Sequence, residues 1–230
     1  MKILVAFAVL LSILFAAIFA MVPAQDRPIR YKDKIPYAES RHLQLVREAE
    51  SITADTLVLL GDSHIEFMPV HDWDKNNVNL GIQGDSTYAV LDRIKDYEKI
   101  FDANTVVIAV GINDLVMEYS AKETLASLLQ LIERFPQSTS VYVSQLLPLS
   151  EAEGWSYINK ISIKYNQMLT DEVRELPNVS VVPEPFTIRN GEFDLLEIDH
   201  QGDGIHLSGS GYALWLESID NAIRGGLSAK

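Results

Sequence analysis

Five short apolar runs recur along this chain with helix-length stretches between them, and that alternation limits the fold more than any other feature. The runs cover residues 56–60, 77–80, 105–110, 140–144 and 179–182; helical patterning falls near 87–100, 121–134, 156–175 and 209–223. Short apolar strands without polar alternation belong to sheets covered on both faces, and helices between them make the strands parallel. The expected fold class is therefore α/β: a three-layer α/β/α sandwich with a central parallel sheet of about five strands.

The amino terminus has a different character. Residues 3–22, "ILVAFAVLLSILFAAIFAMV", carry no charge and only Ser12 as a polar side chain. With Lys2 before them and Val22-Pro23-Ala24 after, they read as a signal peptide cut after Ala24, or as an uncleaved membrane anchor. Export to the periplasmic or extracellular face is expected in either case. Arg27, Arg30, Lys32 and Lys34 lie just downstream, so flanking charge does not fix the orientation of a tether. The expected division is 1–24 signal or anchor, 25–53 proline-punctuated linker and N-terminal helix, and 54–230 the folded domain.

The formal charge of −13 argues against a nucleic-acid partner, since phosphate binding needs clustered Lys and Arg. With no cysteine in the chain, thiolate chemistry, disulfides and cysteine-ligated zinc are excluded.

In a parallel sheet every strand's carboxyl end faces one edge, where ligands usually bind. The residues following each run are therefore the informative ones. Gly61-Asp62-Ser63-His64 follows the first, "GIQGDS" (81–86) the second and "GIND" (111–114) the third, while "DGIHLS" (203–208) lies in the last loop. Each has a bland reading. Asp62 or Ser63 can cap a helix, Gly84 can form an ordinary turn, Asn113 can cap the segment after it, and Asp203 with His206 can be idle surface residues. Jointly they offer ester chemistry: a serine hydroxyl, a base three residues from a carboxylate that orients it, and donors for an oxyanion.

In order and spacing, these four blocks resemble those of the SGNH-hydrolase superfamily, also called GDSL esterases or lipases, from residue 57 to about residue 212. The resemblance implies an SGNH/flavodoxin-like fold, with Ser63 as nucleophile and Asp203 and His206 as its acid–base pair. It also implies Gly84 N–H and the Asn113 side chain as oxyanion donors beside the Ser63 N–H. No metal or other cofactor is implied. One departure is His64, where Leu is frequent. The absence of Gly-x-Ser-x-Gly and the short Asp-to-His spacing weigh against the α/β-hydrolase fold.

The expected substrate is a small-molecule or lipid carboxylic ester, of acyl ester, thioester or lysophospholipid type. Carbohydrate O-acetylesterase activity is the alternative, and a non-catalytic, membrane-tethered binding module a more distant one. Leu146, Leu147, Leu149 and Trp155, with residues 115–117, are candidates to line an acyl pocket or to pack the core. Asp199, His200, Asp203 and His206 are the one cluster with metal-ligand character, a reading that would leave Ser63 without a base. His64 and His71 are expected at the surface or lining a cleft. Asn178 fits a glycosylation acceptor.

Overall fold

A computed structural model describes residues 36–228 apart from 74 and 192. The expected signal or anchor at residues 3–22 lies outside the described residues. Among those described, no helix is long and apolar enough to cross a membrane. The unit spanning Tyr31–Lys230 is a single compact body.

Its centre is a sheet of five parallel strands: β1 (Leu57–Gly61), β2 (Asn77–Gly81), β3 (Thr105–Ala109), β4 (Ser140–Ser144) and β5 (Val179–Val182). Their order, β2-β1-β3-β4-β5, reverses direction between β1 and β3. At such a switch point two loops leave in opposite directions and open a crevice above the sheet edge. Ser63 follows β1 and Asn113 follows β3, so the crevice opens between them.

The longer helices are α1 (Pro36–Ala49), α3 (Thr87–Arg93), α5 (Ala121–Ile132), α6 (Ser156–Val173) and α7 (Gly209–Ser228); α2 (Ser63–Glu66) and α4 (Ile112–Val116) are short. Alternation within each strand assigns the two faces. Val58, Leu60, Val106, Ile108, Val141 and Val143 point into one core with Leu45, Leu128 and Leu169 from the helices. Leu57, Leu59, Val107 and Tyr142 point into the other, where Trp215, Ile219 and Ile223 of α7 meet them. Helices α1, α3, α5 and α6 thus contribute to one face and α7, with α2, to the other. The three-layer α/β/α sandwich with five parallel strands is the expected one.

Local chemistry explains the boundaries. Ser120 and Glu123 form a capping box that starts α5, worth ~1 kcal/mol. The stretch expected as one helix over 87–100 instead breaks after Arg93 into two 3-10 turns, 94–96 and 98–102. There Tyr97 leaves helical backbone geometry, and its hydroxyl accepts a hydrogen bond from the Arg93 guanidinium at 2.6 Å. Leu149 is fully buried in the core, while Leu146 and Leu147, each 5% exposed, pack the core and also line a narrow cavity of about 20 Å³ with Asp62, His64 and Trp215. Two asparagines of α6 hold that loop. Asn166 exchanges hydrogen bonds with both the N–H and carbonyl of Leu146, and Asn159 does the same with Leu149, all at 2.8–2.9 Å.

Candidate active site

The turn from β1 into α2 settles how Gly61-Asp62-Ser63 is used. Asp62, not Ser63, is the cap: its carboxylate accepts the His64 N–H at 3.0 Å. Ser63 is the first residue of α2, only 4% exposed, and its hydroxyl is left to face the crevice floor. Nε2 of His206 lies 3.0 Å from Ser63 Oγ, and Nδ1 of His206 lies 2.6 Å from Asp203 Oδ2. Hydroxyl, imidazole and carboxylate are therefore in one hydrogen-bonded line.

The 200–206 loop is built to present that imidazole. Asp203 Oδ1 accepts the N–H groups of Ile205 and His206, both at 2.9 Å, which folds the carboxylate back under the ring. Gly204, at φ +71°, lies in the left-handed region and lets the turn close. His200 organises the loop from inside: its Nδ1 accepts from Gly202 N–H at 2.9 Å and Gly204 N–H at 3.2 Å. Asp199 is engaged elsewhere, accepting from Ser210 Oγ at 2.6 Å. The residues with metal-ligand character thus divide between two tasks, and among the described residues no metal-binding group of His, Asp and Glu forms.

Burial works to raise the Asp203 pKa, but hydrogen bonds from the His206 ring and from the Ile205 and His206 N–H groups outweigh it and hold it down at about 2. The carboxylate is ionised wherever a histidine base would work. Its side chain is 45% exposed, more open than the enclosed carboxylate usual for such a pair.

The other two blocks are tied to each other beside the sheet edge. Gly84 sits at φ +83° with open space where a side chain would be, so its backbone can be approached closely. Within the described residues, neither the Ser63 N–H nor the Gly84 N–H meets an acceptor. Asn113 lies inside α4 rather than at its cap, which Gly111 occupies. Its amide donates one proton to the Asp85 carbonyl at 3.0 Å, and Nδ2 keeps a second proton.

Several residues that sequence reasoning passed over hold these donors in place. Arg93, 7% exposed, pairs with Asp85 at 2.6 Å and donates to the carbonyls of Gly61 and Leu80 at 3.1 and 2.8 Å. It joins the ends of β1 and β2 to the loop carrying Gly84. Asp114 accepts from the N–H and hydroxyl of Thr87, at 2.9 and 2.5 Å, and so links the third block to the helix that follows the second. An arginine in a helical stretch gives no sequence sign of such a role. The Asp114 that ends "GIND" was a signal that could have been read.

Of the two placements expected for His64, it takes the cleft: it is 5% exposed, lines a small cavity with Asp62 and Trp215, and its Nε2 contacts the Ile205 carbonyl. His71 is exposed, as expected. The Asn178 amide donates to the Thr139 carbonyl at 2.9 Å, so in the folded chain it is already in use. Phe67, 38% exposed, sets its ring edge-on to His206 at 5.2 Å and is an apolar surface beside the base.

A fold of this class with a serine at the switch point defines an acylhydrolase scaffold, and comparison with known proteins agrees. The model of the GDSL-like lipase/acylhydrolase family matches residues 51–214, and the chain belongs to that family. It is an ester-bond hydrolase. No curated protein sequence matches it significantly. Among solved structures it is similar to a GDSL-like lipase from Bacteroides thetaiotaomicron, at 19% identity and a TM-score of 0.66, covering 80% of this chain and 97% of that one. It is similar to the lipase/acylhydrolase of Enterococcus faecalis, at 20% identity and a TM-score of 0.57, covering 74% and 95%. A carbohydrate esterase of family 3 from Talaromyces cellulolyticus shares the fold at 14% identity and a TM-score of 0.58, covering 77% and 99%.

Proposed function

We propose that the chain hydrolyses carboxylic esters through a covalent acyl-enzyme on Ser63. The observation that carries this reading is the continuous line from Ser63 Oγ through His206 to Asp203, with contacts of 3.0 and 2.6 Å. His206 takes the hydroxyl proton as Oγ bonds to the acyl carbon. The oxyanion that forms is met by the Ser63 and Gly84 N–H groups and the free proton of the Asn113 amide. The bond to the alkoxy group breaks, and His206 returns the proton to the departing alcohol. Water then attacks the acyl-enzyme with His206 again as base, releasing the acid and restoring Ser63.

The acyl group is short. Leu149 is buried in the core, Leu146 and Leu147 line only a cavity of about 20 Å³, and Phe67 offers an apolar surface beside His206. Small acyl esters and thioesters fit this better than long-chain lipids. The same observation favours, as a second reading, removal of acetyl groups from carbohydrate. The alcohol side distinguishes the two, so a ladder of acyl lengths on one alcohol, run beside acetylated sugars, decides between them.

We also propose that the chain works on the outer side of a membrane, brought there by residues 3–22. Fractionation of expressing cells, with and without that segment, tests this.

The mechanism is tested by Ser63→Ala, which removes a rim hydroxyl with little effect on packing. It should lower turnover by ~10⁴-fold or more, and a phosphonate should label Ser63. Near wild-type turnover in a folded Ser63→Ala variant would end the serine reading. Chelators should leave activity unchanged; loss restored by added divalent metal would point to a metal enzyme instead.

A further inference from the structure

A leucine beside the nucleophile would ask only for packing, whereas a histidine at 5% exposure needs partners for its ring nitrogens. His64 has them. Nε2 lies 3.0 Å from the Ile205 carbonyl oxygen, and Nδ1 lies 3.5 Å from Asp62 Oδ1. The backbone of His64 is fixed on both sides. Its N–H donates to Asp62 at 3.0 Å, and its carbonyl accepts from the Tyr212 hydroxyl at 3.1 Å. Trp215 stands edge-on to the ring at 6.2 Å. The imidazole therefore has little freedom, and what it touches is the residue immediately before His206.

Two Asp–His pairs run side by side here, their rings 5.9 Å apart. Asp203–His206 ends on Ser63 Oγ; Asp62–His64 ends on a carbonyl of the loop that carries His206. Within the described residues, hydrogen bonds between segment 62–66 and loop 203–206 come down to two: Ser63 to His206, and His64 to Ile205. The first must break and re-form during turnover. The second is free to persist.

We propose that His64 is a positioning residue: by donating its Nε2–H to the Ile205 carbonyl, it keeps the acid–base loop at the separation where His206 reaches Ser63. This rests on the serine mechanism above. Burial of the ring works against a charged His64, but the facing Asp62 carboxylate and the Ile205 carbonyl outweigh it and raise the pKa above histidine's ordinary value. A proton on Nε2 is what that environment favours.

The test uses the full chain in detergent as wild type, Ser63→Ala, His64→Leu and His64→Gln. Readouts are kcat and KM on a chromogenic short-chain ester, the rate of phosphonate labelling at Ser63, and thermal melting. A displacement of the base of order 1 Å costs ~10²-fold, so His64→Leu should lower kcat and the labelling rate by ~10–10²-fold with KM little changed. Gln carries an N–H donor of similar reach, and His64→Gln should recover most of the loss. Wild-type kcat and labelling in a folded His64→Leu variant would overturn the proposal, as would equal impairment of the Leu and Gln variants. If neither variant folds, nitrogen NMR of the wild-type His64 ring decides. Protonated Nε2 at pH 8 supports the role, and an Nδ1–H tautomer there refutes it. An unlabelled wild type, or a Ser63→Ala variant as active as wild type, would sink the serine mechanism and this proposal with it. An active wild type beside a dead Ser63→Ala variant leaves the mechanism standing whatever the His64 variants do.

Discussion

The Asn113 side chain donates to the backbone carbonyl of Asp85, so the loop after β2 and the helix after β3 share one hydrogen bond. That bond fixes the plane of the amide before any substrate arrives. It leaves one N–H directed by the scaffold rather than by the ligand, and such prior orientation is what makes an oxyanion donor effective.

Asn113→Ala should therefore lower kcat by ~10²–10³-fold with little change in KM, because the amide acts on charge that develops in the transition state. Steady-state kinetics on a short-chain ester reads this. A change confined to KM would make Asn113 a substrate-positioning residue.

Arg93 lies further from the chemistry, yet its replacement should be costly to the fold. Arg93→Met removes the guanidinium paired with the buried Asp85 carboxylate and leaves the Gly61 and Leu80 carbonyls without that donor. Removing one partner of a buried pair costs ~3–5 kcal/mol. For a domain of this size that corresponds to a fall in Tm of roughly 10 °C, measurable by calorimetry. Wild-type stability in Arg93→Met would show that the pair is dispensable.

Asp203→Asn should be milder than loss of an enclosed triad carboxylate, which typically costs ~10⁴-fold. Asp203 is 45% exposed, so water can supply part of what the carboxylate gives to the imidazole. The expected loss in kcat/KM is ~10²–10³-fold. A loss as large as that of Ser63→Ala would mean that solvent makes no such contribution.

Asp114 gives a prediction about pH. Burial, opposed by the two Thr87 hydrogen bonds, pushes its pKa up to about 7. Its folded value lies above its unfolded one, so the folded state binds the proton more tightly. The stability this contributes is complete below pH ~4 and is lost as pH rises towards 7. Its upper bound is roughly 4 kcal/mol. Asp114→Asn keeps an oxygen acceptor for the Thr87 N–H and cannot ionise. Denaturant titrations across pH 4–7 should show a flatter stability profile for it than for wild type; parallel profiles would assign the slope to other groups.

The sheet was legible in sequence because a buried parallel strand has to be a short apolar run, and 140–144 and 179–182 come out as the observed strands. The four site blocks were legible because each is punctuated by glycine, three of them just after a strand and the fourth in the last loop. What stayed hidden depends on contacts between distant segments. Leu147 looks the same in a sequence whether it faces a ligand or the core, and only its meeting with Trp215, 68 residues further on, shows that it both packs the core and lines a small cavity. Helix 87–100 was overextended because its apolar pattern runs on past the break: Tyr97 leaves helical geometry while Ile94, Tyr97 and Ile100 all stay buried. Which of its two expected placements His64 takes, surface or cleft, was hidden because its partner Ile205 lies 141 residues away.

Ser63 and His206 touch in the folded domain yet lie 143 residues apart in the sequence. On the proposed mechanism, a ribosome makes the attacking group 143 residues before the base that activates it. Until the last loop docks, Ser63 is an ordinary alcohol with no means of losing its proton at neutral pH. Partly made chains, and chains clipped ahead of residue 203, are thereby harmless to the esters around them. Hydrolysis by this protein is in effect a certificate that the whole domain has closed.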